Sequence, residues 1–200
     1  MFILQMDRAR RGTAAELWEL AGLTAALSGR ICREENLMML RLAKIALVAA
    51  VAFSYTLVVF GNLTDYDSNY QFVRHVLMMD TTFPGNHGMW RAIDSPGVHT
   101  LFYGSIIAWE GATCILLWWG VARLLKALRG SAQEFDGAKA IAFAGLTLSM
   151  LMWLVAFMTV GGEWFMMWQS TTWNGETAAA REFAVVGIVF VILQQRERDA

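Results

Sequence analysis

The sequence has few charged residues, since Asp, Glu, Lys and Arg make up 16% of its 200 residues, against about 25% in soluble domains. It also lacks an excess of either sign of charge, with a formal net charge of -1. A nucleic-acid-binding protein would need a basic surface, so no nucleic acid is expected among its partners. Hydrophobic residues make up 56% of the chain, and its length is that of a single domain.

Cysteine and histidine are also scarce. The two cysteines, Cys32 and Cys114, lie in a polar tail and inside an apolar run, so we expect no disulfide and no CxxC metal or redox pair. The three histidines, His75, His87 and His99, lie outside the cores of the apolar runs, where a bis-histidine haem would need them. No cofactor is predicted.

Four apolar runs are long enough to cross a bilayer as helices, which takes about 20 residues each. They cover residues 42–60, 100–122, 138–160 and 177–193. The fourth run is the weakest because Arg181 and Glu182 interrupt its start. The predicted fold class is an all-α membrane protein, a four-transmembrane-helix bundle formed by residues 38–200 in the lipid bilayer.

Basic residues are unevenly distributed around these runs. They flank the first run, fill the link between the second and third runs and close the chain, at Arg41, Lys44, Arg123, Lys126, Arg129, Lys139, Arg196 and Arg198. The loops 61–99 and 161–176 carry only Arg74 and Arg91. The positive-inside rule therefore predicts that both termini and the basic link face the cytoplasm.

Residues 1–37 form an N-terminal extension that differs from the rest of the chain. Apolar residues recur there at helical spacing, at Ala14, Leu17, Trp18, Ala21 and Ala25, which is typical of an interfacial amphipathic helix. The alternative is a misassigned chain start, because Met38 and Met39 directly precede the first apolar run. The sequence leaves both interpretations open.

The two outer loops, residues 61–99 and 161–176, are predicted to form a structured cap, since a loop as long as the first is seldom without structure. Helical spacing predicts a short helix over 69–79 and a helical turn over 90–93, with a reverse turn over 83–86. The tryptophans of the second loop indicate an interfacial aromatic belt, or alternatively an aromatic ligand wall. The candidate contacts of the cap are Asp65, His75, Asp80, Glu163 and Trp168. No zinc or calcium motif matches the spacing of the loop histidines and carboxylates, so no metal is predicted.

Glu110 is a single carboxylate in the middle of the second apolar run. A charge at that depth costs roughly 2.5–3.5 kcal/mol on insertion scales, so the residue needs a partner or a function. At about 1.5 Å per helical residue, Glu110, Arg181 and Tyr55 lie at one depth, about 20 Å from the basic inner ends. We therefore expect Glu110 and Arg181 to pair across the second and fourth spans, with Tyr55 or Ser54 as a hydrogen-bonding neighbour.

Small residues predict where the spans approach each other most closely. They occur at Gly104, Ala108, Gly111 and Ala112 on the second run and at Ala140, Ala144 and Gly145 on the third. Side chains this small allow two helix backbones to come into contact within a membrane.

Several motifs are specific enough for comparison with known families. They are NLTDYDSNYQFVRHVLMMDT at residues 62–81, MWRAI at 89–93, the run around Glu110, GGEWF at 161–165, MWQS at 167–170 and WNG at 173–175. In these motifs the chain, from about Met39 to its C-terminus, resembles a bacterial family of predicted small integral membrane proteins, known only as a domain of unknown function. The resemblance implies four spans and a bacterial inner membrane, and no activity, cofactor or site.

The sequence predicts a non-enzymatic integral inner-membrane protein that serves as an accessory or assembly partner of a larger membrane complex. No nucleophile and oxyanion donor set can be assigned, so no enzyme is expected. The polar cap is suited to contacting a partner. The alternative is a small transporter or ligand-binding membrane protein that uses the polar layer of Glu110, Arg181 and Tyr55. A proton path is disfavoured because no acid or histidine continues inward from Glu110.

Overall fold

The computed structural model describes the backbone of residues 2–197 and the side chains of residues 18, 19, 21–23, 28 and 33–197. The regular structure of these residues is helical throughout, and they contain no strand. A backbone in lipid has no water to satisfy its polar groups, so helices are the expected solution for so apolar a chain. The all-α class predicted from the sequence is confirmed.

Six α-helices form the fold, counted over the described residues. They are α1 (Phe2–Thr64), α2 (Tyr66–Met78), α3 (Pro96–Lys126), α4 (Ala132–Ala138), α5 (Ala140–Leu151) and α6 (Glu176–Gln194). A π-helical segment, Met152–Trp164, continues α5, and short 3-10 turns occupy His87–Arg91 and Met167–Gln169. The loops 61–99 and 161–176 lie at one end of the bundle and form the cap. The basic link and the C-terminal tail lie at the other end, which we call the link end.

Three stretches in the described part of the chain are long and apolar enough to cross a membrane. They are Arg33–Thr64 within α1, Pro96–Lys126, which is α3, and Ala132–Trp164, which joins α4, α5 and the π-helical segment. The predicted fourth span, 177–193, coincides with α6, a 19-residue helix that packs against α1, α5 and the π-helical segment.

The N-terminal extension is continuous with the first span. Helix α1 runs without a break from Phe2 to Thr64. Trp18 and Leu23 are exposed, and among the described side chains full burial begins at Arg41. The side chains of Ala14, Leu17 and Ala25 from the predicted apolar stripe lie outside the described residues, as does Arg198 of the basic C-terminus.

The cap contains its own small apolar core. Helix α2 packs on α3 and begins three residues before the predicted start of Asn69. Val73, Leu77, Met79, Tyr103 and Phe165 are buried together there. Gly85 has φ of 78° in the predicted turn over 83–86, a left-handed conformation that glycine adopts without steric cost.

A second apolar core fills the bundle between α1, α3, α5 and α6, with Val48, Leu117, Leu146 and Val189 among its buried residues. Helices α3 and α5 lie close together at Gly120. A methyl group there would lie 2.7 Å from Cα of Ala142, and one at Gly145 would lie 2.9 Å from Cδ2 of Leu117. The contact between α3 and α5 therefore depends on glycine.

The structure corrects part of the predicted small-residue contact. Of the positions expected to lie at helix contacts, Gly145 does so, but Gly104 and Gly111 have no described atom within 4 Å of where a Cβ would stand. The residue of α3 that makes the close contact is Gly120, which is not among the predicted positions. Composition marks small residues on a span, but it does not tell which side of the span meets a neighbour.

Candidate functional site

Glu110 lies on the buried face of α3. Buried side chains recur on this helix at Tyr103, Glu110, Leu117 and Leu124, a spacing of about two helical turns that keeps them on one face. The face that packs the bundle therefore carries the carboxylate, and Glu110 is only 3% exposed. Glu110 is therefore not on the lipid-facing side of α3.

The Glu110 carboxylate is held by an asparagine pair. Asn62, at the end of α1, donates from Nδ2 to Oε2 of Glu110 at 2.5 Å. Asn69 of α2 donates in turn to Oδ1 of Asn62 at 2.6 Å. The hydroxyl of Tyr103 donates to the backbone carbonyl of Asn62 over 3.4 Å. Asn62 is buried and Asn69 is exposed, so this chain of amides connects the exterior of the cap with the carboxylate.

A partly open cavity of about 390 Å³ lies beside Glu110. Its polar lining consists of Glu110, Asn62, Asn69, Tyr103 and Trp153. Its other walls come from α1, α2, α3, α6 and the π-helical segment, and are Leu57, Val58, Gly61, Phe72, Val73, Ile106, Phe157, Gly175 and Ala178. Leu57, Val58 and Ala178 are exposed, so the cavity opens sideways between α1 and α6. We call it the Glu110 cavity.

A second cavity, of about 270 Å³, adjoins the first and is almost wholly apolar. The two share the walls Phe72, Val73, Ile106 and Phe157. The π-helical segment supplies much of the remaining lining, including Val155, Ala156 and Gly161. The backbone of this segment is π-helical from Met152 to Trp164, and such wide helical turns are frequent at functional sites. We call it the tail cavity.

The predicted pair of Glu110 with Arg181 is wrong. Arg181 has a side chain that is 70% exposed, and its guanidinium pairs with the adjacent Glu182 at 3.1 Å. The buried residues of α6 include Ala179 and Val186, and position 181 follows 179 by about 200° of rotation, which turns it to the opposite face. Counting residues gives the depth of a side chain along a span but not the side on which it lies.

Tyr55 is buried, but its hydrogen-bonding partner differs from the predicted one. Its hydroxyl forms a 2.7 Å hydrogen bond with Ser149 of α5, while Ser54 is exposed. The indole nitrogen of Trp153 is buried near the Tyr55 hydroxyl and makes no hydrogen bond of good geometry with the described residues. Tyr55 therefore ties α1 to α5 and is not a direct partner of Glu110.

The predicted contacts of the cap form local pairs and do not converge on one site. His75 Nδ1 lies 2.7 Å from Asp80 Oδ2, and the His75 ring stacks on Trp173 at 4.7 Å. Asp65 accepts a hydrogen bond from Ser68, the backbone carbonyl of Glu163 accepts one from Arg91, and Trp168 packs edge-on against Phe83. Within the described residues, no group of three His, Cys, Asp or Glu side chains could hold a metal ion.

A cluster of charged side chains at the link end, four of them buried, was not predicted. Glu197, whose side chain is 2% exposed, lies 2.6 Å from Lys44 Nζ, 3.3 Å from Arg41 Nε and 3.8 Å from Lys139 Nζ. Lys139 also pairs with Asp136 at 2.6 Å. We call these five residues the charge cluster. Its three cations outnumber its two carboxylates.

Backbone carbonyls complete the charge cluster. Arg41 donates to the carbonyls of Leu128 and Gly130 in the basic link, and Lys44 and Lys139 both donate to the carbonyl of Gln195. The cluster thus joins α1, the link, the α4–α5 junction and the C-terminal tail. In the sequence, these cations are recognisable only as basic residues that flank the spans. Pairing across 156 residues, as between Arg41 and Glu197, has no local sequence signal.

Comparison with known proteins locates the chain in a family without assigning an activity. A family model described as predicted small integral membrane protein (DUF2165) matches residues 40–196. No curated protein and no solved structure matches the chain. The match includes the Glu110 span, both loops of the cap and the basic link. The function therefore has to be argued from the geometry of the site.

Proposed function

Because the chain belongs to the family of predicted small integral membrane proteins, we propose a function performed within the bilayer, namely the binding of a small amphiphilic molecule. The polar head of this molecule occupies the Glu110 cavity and its apolar part occupies the tail cavity. The observation that carries the proposal is the shared wall of the two cavities. One contains a buried carboxylate and the other is apolar, and such a combination of an apolar pocket with a few convergent polar groups is typical of ligand sites.

We propose that the protein is not an enzyme. The polar side chains that line the Glu110 cavity are two amides, a phenol, an indole and one carboxyl group. This set contains no nucleophile with an adjacent base, which covalent catalysis would need. Binding, storage or transfer of the amphiphile is the function that these groups support.

We also propose how the protein is oriented in its membrane. Helix α6 forms the fourth span, both termini and the basic link face the cytoplasm, and the cap lies on the outer side of a bacterial inner membrane. The supporting observation is the concentration of exposed Arg123, Lys126 and Arg129 at the link end, as the positive-inside rule requires. The Glu110 cavity then opens sideways to lipid in the outer half of the bilayer.

Photolabelling tests the binding of an amphiphile. The purified protein in phosphatidylcholine nanodiscs is irradiated with a diazirine-tailed hexadecanol, and the labelled positions are mapped by mass spectrometry. We expect labelling of the tail-cavity walls in 102–109 and 152–161 that unlabelled hexadecanol displaces, because a site saturates and bulk lipid does not. Labelling confined to lipid-facing residues, with no displacement, would contradict the proposal.

A matched pair of tryptophan substitutions controls that experiment. Ala156 lines the tail cavity, so Ala156→Trp should fill it and reduce the displaceable labelling several-fold. Ala144 lies on an exposed face of the same span, so Ala144→Trp should leave the labelling unchanged. Equal labelling of the two variants would count against the tail cavity as the binding site.

A role as accessory or assembly partner of a larger membrane complex is the second candidate function. The observation that favours it is the exposure of aromatic residues on the cap, at Phe83, Trp90, Trp164 and Trp168, since aromatic residues are enriched at protein interfaces. Trp90 alone is 74% exposed.

A pull-down in mild detergent tests the accessory role. We expect a stoichiometric partner that is lost with Trp90→Ala and retained with Trp119→Ala, which removes an exposed tryptophan from the span α3. A truncated interface anchor typically costs at least about 2 kcal/mol, enough for a loss of binding of more than about 10-fold. A strictly solitary monomer would rule out this candidate.

A further inference from the structure

We propose that the polar head bound beside Glu110 is a primary ammonium group, carried on an apolar chain. This inference rests on the amphiphile-binding function proposed above and names the chemical class of the ligand.

The Glu110 cavity carries an acid without a basic partner. Among the described residues, no Lys, Arg or His side chain pairs with Glu110, and its one hydrogen bond comes from Asn62 to Oε2. The cations of the charge cluster lie at the opposite end of the bundle, and Arg181 is paired with Glu182. A carboxylate buried in an apolar site is costly unless a proton or a cation neutralises it. A bound cation supplies that charge.

The hydrogen-bonding capacity of the cavity favours a donor. Asn62 uses its side-chain N–H on Glu110, its side-chain oxygen on Asn69 and its carbonyl oxygen on Tyr103. These groups satisfy one another, and the indole N–H of Trp153 lies near the Tyr55 hydroxyl, while Oε1 of Glu110 accepts no hydrogen bond from a described residue. A primary ammonium group has three N–H donors. It can donate to Oε1 without breaking the asparagine pair.

The walls around the carboxylate are aromatic. Phe72, Tyr103, Trp153 and Phe157 all line the Glu110 cavity. Phe157 connects two of them, with ring centroids 6.4 Å from Phe72 and 4.8 Å from Trp153. Aromatic faces attract ammonium groups within about 6 Å, most strongly where water is excluded. An anionic head would meet the carboxylate and these electron-rich faces, and is disfavoured by both.

The tail cavity then receives the apolar chain. It shares Phe72, Val73, Ile106 and Phe157 with the Glu110 cavity and continues between α2, α3 and the π-helical segment. A molecule that is cationic at one end and apolar along its length therefore matches both cavities. Two kinds of ligand carry such an ammonium group. One is a lipid with an ethanolamine headgroup, which also contains a phosphate, and the other is a free hydrophobic amine, which does not.

Competition with tail-matched amphiphiles tests the inference. Hexadecylamine, hexadecanol and hexadecyl sulfate are each titrated against the diazirine-tailed hexadecanol bound to the protein in phosphatidylcholine nanodiscs. In the wild type we expect hexadecylamine to displace the probe at a concentration on the order of 10-fold lower than hexadecanol, the effect of one hydrogen bond to a charged group. Hexadecyl sulfate should be the weakest competitor.

Glu110→Gln provides the decisive comparison, because the glutamine oxygen can still accept from Asn62 while the charge is removed. We expect the preference for hexadecylamine over hexadecanol to fall to about one in this variant, relative to a wild-type value on the order of 10. Comparing this preference between wild type and variant removes the effect of each competitor's partitioning into the bilayer, because the partitioning is the same in both titrations. Glu163→Gln is the charge-matched control, since Glu163 is exposed in the cap, and it should retain the wild-type preference.

Each outcome has a distinct meaning. Saturable labelling with the same amine preference in wild type and Glu110→Gln would overturn the ammonium assignment and leave amphiphile binding intact. Absence of any saturable labelling would overturn amphiphile binding itself. If Glu110→Gln fails to fold, the wild type alone decides, because hexadecyl sulfate competing as well as hexadecylamine would also overturn the assignment. Repeating the titration with phosphatidylethanolamine in the nanodisc identifies the source: competition by that lipid assigns the headgroup, and its absence assigns a free amine.

Discussion

Replacing Glu197 with glutamine is expected to lower the free energy of unfolding by about 3–5 kcal/mol, the usual effect of removing one partner from a buried ion pair. The reason is the excess of positive charge that remains. Arg41, Lys44 and Lys139 are all buried around the Glu197 carboxylate, so the substitution leaves three cations with Asp136 as their one remaining carboxylate partner in the charge cluster.

Thermal unfolding in mild detergent, followed by circular dichroism, measures this effect. For a protein of this size, a loss of 3–5 kcal/mol corresponds to a melting temperature lower by about 6–20 °C. Glu163→Gln, which removes an exposed carboxylate, is the matched control and should change the melting temperature little. The double variant Glu197→Gln with Lys44→Met should recover part of the loss, because it removes one of the unpaired cations.

Two results would contradict the role of the charge cluster. A melting temperature of Glu197→Gln equal to that of Glu163→Gln would show that the C-terminal tail does not hold the link end together. A double variant less stable than Glu197→Gln would show that Lys44 stabilises the fold through contacts other than the ion pair.

Replacing Gly120 with leucine is the second large perturbation, and it is expected to separate α3 from α5. A Cβ at this position would lie 2.7 Å from Cα and 2.8 Å from N of Ala142. Both are backbone atoms, so no side-chain rotation relieves the contact and the helices themselves must move. Overpacking of a core commonly costs about 1–3 kcal/mol and sometimes more. We expect a value at or above the upper end of that range, with a melting temperature lower by about 6–12 °C.

A control on the same helix makes the Gly120 experiment specific. Gly104 is exposed, and no described atom lies within 4 Å of its missing Cβ, so Gly104→Leu should be tolerated. Gly120→Ala should already destabilise the bundle, and Ala142→Gly should not rescue it, because the backbone contacts remain. Rescue by Ala142→Gly would mean that the Ala142 side chain sets the separation of the helices, contrary to this prediction.

The sequence predicted the depth of Glu110 along its span, but not which residues surround it. It identified Glu110 as a buried acid needing a partner, and the apolar runs around it predicted spans at about the observed positions. It could not identify Asn62 as the partner, because Asn62 is 48 residues from Glu110 in the chain and no local pattern relates the two. The asparagine meets the carboxylate only because the loop end of α1 packs against the buried face of α3.

The charge cluster illustrates a different limit. Basic residues at the ends of spans are ordinarily solvated, and the positive-inside rule treats Arg41, Lys44 and Lys139 as such residues. The structure buries them because the C-terminal tail folds back and brings Glu197 and the Gln195 carbonyl to them. Such long-range pairing depends on where the C-terminal tail packs against α1.

The sequence by itself determined that this protein is all-helical and belongs in a membrane, since apolar runs of bilayer length leave the backbone no other way to satisfy its hydrogen bonds. It also determined that the second span carries a buried acid. Only the tertiary structure decided that Glu110 meets Asn62 and a cavity, that Arg181 faces away, and that Gly120 forms the helix contact. The physical reason is the rotation of each helix about its own axis. Residue spacing predicts the depth of a side chain and which side chains share a face, but packing decides which face each neighbouring helix covers.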